Sequence, residues 1–130
     1  MIVDSSAIIA IVFREPGHER LIDALTTESS PGIGTPTLAE TGIVLSARLQ
    51  RNARGLLSRL IQDFGLVEVP FGEEHWRTAL DAYLQFGKGR HPAALNFGDC
   101  LTYAVAHLAN EPLLFTGKDF THTDIRPALP

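Results

Sequence analysis

The sequence predicts an α/β fold of three layers, in which a mainly parallel sheet is covered by helices on both faces. Two observations carry this. Short apolar runs alternate with stretches of helical periodicity along the whole chain, and no hairpin-type turn joins one apolar run to the next. A third observation sets the domain count. Pro and Gly fall singly at the ends of elements rather than in runs, so residues 1–130 are expected to form one domain without a linker.

The first strand is Ile2 and Val3, and it ends on Asp4. Ser5 or Ser6 opens a helix carrying Ile8, Ile9 and Val12, and Arg14 to Gly17 interrupts the pattern. A second helix from about Glu19 to Leu25 places Leu21, Ile22 and Leu25 on one face. A short, weak strand surrounds Ile33. Thr35 can cap, and Pro36 can occupy the first turn of, a long helix whose apolar face uses Leu38, Ile43, Val44, Ala47 and Leu45. Glu40 lies near its start.

Leu56, Leu57, Leu60, Ile61 and Phe64 mark the next helix, which Gly65 ends before a strand from Leu66 to Val69, closed by Pro70. Trp76, Ala79, Leu80 and Tyr83 share a further helical face, expected to be buried. That helix stops at Gly87 and opens into the longest loop, Lys88 to Asn96. A helix from about Phe97 to Leu108 follows, then the strand Leu113, Leu114, Phe115, then a turn at Thr116 and Gly117 that leads to Asp119.

Bulk properties exclude several classes. With 45% hydrophobic and 20% charged residues the chain has the composition of a globular domain. No apolar run reaches the roughly 18 residues a membrane span needs, and no secretory signal pattern opens the chain, so a soluble cytoplasmic protein with no membrane partner is expected. Cys100 is the single cysteine, which rules out an internal disulfide and a thiolate-rich zinc site. A net charge of −4 argues against nucleic-acid binding through the overall field, although not against a locally basic groove.

Four acids stand at junctions: Asp4 after the first strand, Glu40 and Asp99 early in two helices, and Asp119 beyond the last strand. In open α/β sheets the ligand site lies beyond the carboxyl ends of the strands, so Asp4 and Asp119 are expected to face one region. Carboxylates gathered together raise one another's pKa unless a cation neutralises them. Mg²⁺ suits such a set, because it prefers oxygen ligands and retains waters that phosphate oxygens can replace. It can lower the pKa of a bound water and stabilise a leaving oxygen, so the implied reaction is phosphodiester hydrolysis. Structural roles compete with this. Asp99 can serve a helix dipole, and Thr37 with Glu40 has the spacing of a capping box.

Four segments carry a resemblance: Ile2-Val3-Asp4-Ser5-Ser6-Ala7, Thr37-Leu38-Ala39-Glu40, Leu95-Asn96-Phe97-Gly98-Asp99-Cys100, and Leu113 to Phe120. Together, and in this order, the chain resembles the PIN-domain family, and within it the VapC-type toxins of bacterial toxin–antitoxin pairs. The resemblance implies a sheet sandwiched by helices and an endoribonuclease dependent on Mg²⁺ or Mn²⁺. It implies Asp4 and Asp99 as core metal ligands, with Glu40 and Asp119 completing the acidic site. Cleavage would leave a 5′-phosphate and a 3′-hydroxyl. Ser6 matches a position whose hydroxyl often supports the first aspartate, and Ser5 stands where Thr is commoner. A VapB-type antitoxin occupying the active-site groove and homodimerisation are also implied.

Other features are weaker. Lys88, Arg90 and His91 form the densest basic stretch, and could either grip RNA phosphates or belong to a solvated loop. Arg48, Arg51 and Arg54 fit a solvated helix end. His91 and His122 lie in no recognised catalytic spacing, Cys100 is expected in the core, and Ser5 and Ser6 lack the context of a nucleophile elbow. The competing function is a non-catalytic Mg²⁺-binding signalling or partner-binding module on a flavodoxin-like sheet. Leu66 to Pro70 offers no phosphoacceptor Asp for it. A neighbouring gene for a DNA-binding antitoxin would favour the toxin, and one for a histidine kinase the signalling module.

Overall fold

The computed structural model describes residues 1–130. Its elements run β1 (Ile2–Val3), α1 (Ser5–Val12), α2 (His18–Thr27), β2 (Gly32–Gly34), α3 (Thr35–Leu49), α4 (Arg54–Phe64), β3 (Val67–Val69), α5 (Glu73–Phe86), α6 (Phe97–Ala109) and β4 (Leu113–Leu114), followed by a 3₁₀ turn at Asp119–His122. The strands form a single all-parallel sheet in the order β3-β2-β1-β4. The predicted alternation and the mainly parallel sheet are both present. No helix is long and apolar enough to cross a membrane.

Alternation along the short strands divides the core in two. Ile2 and Leu113 pack with Ala79, Ala82 and Phe86 of α5 and Cys100, Tyr103 and Val105 of α6. Their neighbours Val3 and Leu114 point the other way, into a cluster with Ile8, Leu21, Leu25 and Leu38, closed by half-buried Leu57, Leu60 and Phe64 of α4. One residue of register therefore separates the two faces. The weak strand β2 owes its composition to close packing. A Cβ on Gly34 would meet Val105 Cγ2 at 2.8 Å, and one on Gly32 would meet Ile2 Cδ1 at 3.0 Å, so α6 rides directly on a strand stripped of side chains on that face.

Three expectations are corrected. α5 buries Ala79, Ala82 and Phe86, while Trp76, Leu80 and Tyr83 are 50%, 51% and 42% exposed. The small alanines let α5 and α6 approach closely, which rotates the large side chains outward. In α3 the buried stripe is Thr37, Leu38, Thr41 and Leu45, and Ile43 is 71% exposed. The two threonines can be buried because each hydroxyl is bonded: Thr37 Oγ1 pairs with Thr102 Oγ1 at 3.1 Å, and Thr41 Oγ1 donates to the Thr37 carbonyl at 2.7 Å. The cap of α3 is Gly34 rather than Thr35, with Pro36 in the first turn as expected.

Candidate active site

β1 lies between β2 and β4, and the chain moves outward from β1 to β2 and β3 before returning to the opposite side at β4. The order reverses at the β1/β4 boundary, and in open α/β sheets it is at such a reversal, beyond the carboxyl ends of the strands, that ligands bind. Asp4 stands at this boundary. It is 5% exposed, its backbone N–H donates to the Leu114 carbonyl at 2.9 Å, and its Oδ2 caps α1 by accepting from the Ser6 N–H at 3.1 Å. Ser6 thus supports Asp4 through its backbone. Its hydroxyl accepts instead from the Thr116 N–H at 3.0 Å, tying the start of α1 to the segment after β4.

Glu40 is half-buried in the second turn of α3, which follows β2 without a connecting loop. The capping-box reading of Thr37 and Glu40 fails, because the helix begins two residues earlier and Thr37 bonds to Thr102. Asp99 does serve a cap. Its N–H donates to Asn96 Oδ1 at 2.8 Å and its Oδ2 accepts from the Asn96 N–H at 3.1 Å, a reciprocal arrangement at the start of α6. The Asn96-x-x-Asp99 spacing could have announced this. Asp119 opens the 3₁₀ turn after Gly117, whose φ of +90° lets the chain reverse beyond β4.

Asp99 lies within electrostatic reach of Asp4, Glu40 and Asp119. Burial pushes the Asp99 carboxyl up to about 6, the bond from Asn96 opposes this, and the negative charges of Asp4, Asp119 and Glu40 each push it higher. Glu40 is likewise raised, first by burial and then by Asp4, with hydrogen bonding from Ser5 opposing the rise. None of the four has a cationic partner, since the ion pairs of the protein are Met1–Glu111, His18–Glu19 and Arg77–Glu73. No group of three or more His, Cys, Asp or Glu side chains is arranged to hold a metal ion by itself. An all-oxygen set whose charges repel without a counter-charge suits a hard divalent ion that takes one or two carboxylates and fills its shell with water and phosphate.

The PIN-domain model matches residues 1–126. This chain belongs to the PIN-domain family. Within it, the chain is 48% identical over 126 residues to ribonuclease VapC36 of Mycobacterium tuberculosis, covering 96% of this chain and 91% of that one. It is 43% identical over 129 residues to ribonuclease VapC42 of the same organism, covering 98% of each. Family membership at this level makes it a VapC-type PIN-domain ribonuclease rather than a non-catalytic signalling module. The fold also matches the crystal structure of Mycobacterium tuberculosis VapC20, described as a sarcin–ricin-loop-cleaving toxin, with a TM-score of 0.74 at 16% identity over 97% of this PIN domain and 98% of that chain. A toxin–antitoxin complex from Klebsiella pneumoniae matches with a TM-score of 0.68 at 16% identity over 95% and 92%.

Several of the remaining candidates have structural contacts of their own. Arg90 Nε donates to the Leu84 carbonyl at 3.2 Å and its guanidinium lies over Tyr83, while His91 Nδ1 accepts from the Ala93 N–H, so both hold the 88–96 loop. Arg48 lies over Phe13. Cys100 is buried, as expected.

Proposed function

We propose that Asp4, Glu40, Asp99 and Asp119 form the catalytic centre of a divalent-metal-dependent endoribonuclease, the toxin of a VapBC-type pair, acting on RNA. The observation that carries this reading is that four acids from separate elements, at the carboxyl ends of the strands and the starts of helices, have no cationic partner among the ion pairs of the protein. Burial first, and then the charges of Asp4, Asp119 and Glu40, raise the Asp99 carboxyl.

Asp4 and Asp99 are the ligands best held, each fixed through Oδ2 by a backbone N–H of its own helix start. Glu40 and Asp119 face them from α3 and from the turn after β4. When bound, Mg²⁺ or Mn²⁺ would activate a water for attack on the phosphodiester and offset the charge of its oxygens. Asp4, Glu40, Asp99 and Asp119 would hold that ion, and Glu40, whose carboxyl is raised by burial and by Asp4, would be the acid best suited to accept a proton. The products are a 5′-phosphate and a 3′-hydroxyl.

A VapB-type antitoxin is the expected partner. A group of unpaired acids favours an inhibitor that brings Lys or Arg side chains to it. A second copy of the chain is the partner proposed for the exposed apolar side chains Ile43, Trp76, Leu80, Tyr83, Leu84 and Phe97.

The test is cleavage of a structured RNA by antitoxin-free protein, with Mg²⁺ or Mn²⁺ and with chelator, against Asp4→Ala as a control for contaminating nuclease. Metal-dependent cutting that disappears in the variant supports the assignment. Equal cutting by both proteins removes it.

A further inference from the structure

Gly98 occupies the first turn of α6, immediately before Asp99. A Cβ placed there would lie 3.0 Å from Glu40 Cδ and 3.1 Å from Oε1, and would overlap Oε2 outright. Its three nearest atoms all belong to that one carboxyl group. None of the other ten glycines stands against a carboxylate: Gly34 faces Val105, Gly87 faces Tyr83, Gly42 faces Leu57, Gly32 faces Ile2, and the remainder face open space.

A glycine inside a helix costs about 1 kcal/mol relative to alanine, so its presence needs another reason. Backbone freedom is not that reason, because Gly98 is absent from the residues with positive φ. Room is what the position supplies. The Glu40 carboxylate crosses from α3 to lie on the bare backbone of α6.

We propose that Gly98 is a positioning residue of the acidic site: by lacking a side chain it lets the Glu40 carboxylate seat against α6 beside Asp99. A methyl group there would displace the far end of a flexible side chain and leave the core untouched. The inference rests on the reading of Glu40 as part of the cation site.

The experiment measures Mn²⁺ binding without RNA, by calorimetry or electron paramagnetic resonance, together with melting temperature and RNA cleavage. Gly98→Ala is expected to melt at or above the wild-type temperature while losing about tenfold or more in Mn²⁺ affinity and in cleavage, as loss of an orienting neighbour does at other metal sites. Shortening the acid should relieve the contact, so Glu40→Asp is expected to harm binding less in the Gly98→Ala background than in the wild type. A folded Gly98→Ala protein with wild-type Mn²⁺ affinity, beside an impaired Glu40→Gln, overturns the role of Gly98 alone. Wild-type binding and cleavage by Glu40→Gln overturns the reading of Glu40 and this inference with it. If Gly98→Ala melts early, Glu40→Ala in the same background must restore the melting temperature, and failure to do so overturns the steric account.

Discussion

The hydroxyl of Ser6 accepts a hydrogen bond from the backbone N–H of Thr116 at 3.0 Å, joining residues 110 positions apart across the β1/β4 boundary. It holds the start of α1, which carries Asp4, against the segment that leads to Asp119. Ser6→Ala should lower stability by about 1 kcal/mol, the ordinary net worth of such a bond. Cleavage should fall further than stability explains, because the Asp119 segment loses its tether. Denaturant unfolding and single-turnover cleavage under native conditions check the two effects separately.

The acidic centre has a thermodynamic signature without metal. The Asp99 carboxyl is raised from its ordinary value of 3.8 to about 6 in the folded protein, so between these values the folded state binds more protons than the unfolded one. Its contribution to stability is therefore greatest below pH 4 and is lost as pH rises through 6. Asp99→Asn keeps an oxygen for the Asn96 N–H and removes the charge. Metal-free Asp99→Asn should be more stable than wild type at pH 7 to 8, by on the order of 1 kcal/mol after allowing for solvent screening at this partly exposed group. It should also lack the decline between pH 4 and 6, and should not cleave RNA. Thermal melts across pH in chelator measure this.

The buried pair Thr37 and Thr102 couples α3 to α6, the helices that present Glu40 and Asp99. Thr102→Val strands the Thr37 hydroxyl and should cost about 1 to 3 kcal/mol. Adding Thr37→Val should recover much of that loss. A double-mutant cycle that came out additive would mean the two hydroxyls do not act as a pair.

If a second copy covers the exposed apolar surface, a charge at its centre should separate the copies. Leu80→Glu, at a side chain 51% exposed, should shift the protein from dimer to monomer in sedimentation while leaving its circular dichroism unchanged. A wild type that is monomeric at micromolar concentration leaves this surface to another partner.

The strands and helices were legible because apolar spacing and single Gly or Pro residues mark them, and the four acids because each stands at such a boundary. What the sequence hid was orientation. The buried faces of α3 and α5 depart from the apolar pattern where side-chain size and polarity give opposing signals: Thr37 and Thr41 are buried by virtue of hydrogen bonds, and Trp76, Leu80 and Tyr83 are turned outward by close alanine packing. The two ends of the Ser6–Thr116 and Glu40–Gly98 contacts lie far apart in the chain, and no local pattern announces either.

The central claim is that Asp4 helps hold a divalent cation that cleaves RNA. Asp4→Asn tests it most directly, because asparagine caps a helix as well as aspartate does and the variant should fold normally. Mn²⁺ affinity and RNA cleavage would be measured on the same preparation. The account predicts a wild-type melting temperature with Mn²⁺ affinity reduced at least tenfold and cleavage reduced by about a hundredfold or more. A folded Asp4→Asn protein that binds Mn²⁺ and cuts RNA as the wild type does would contradict it.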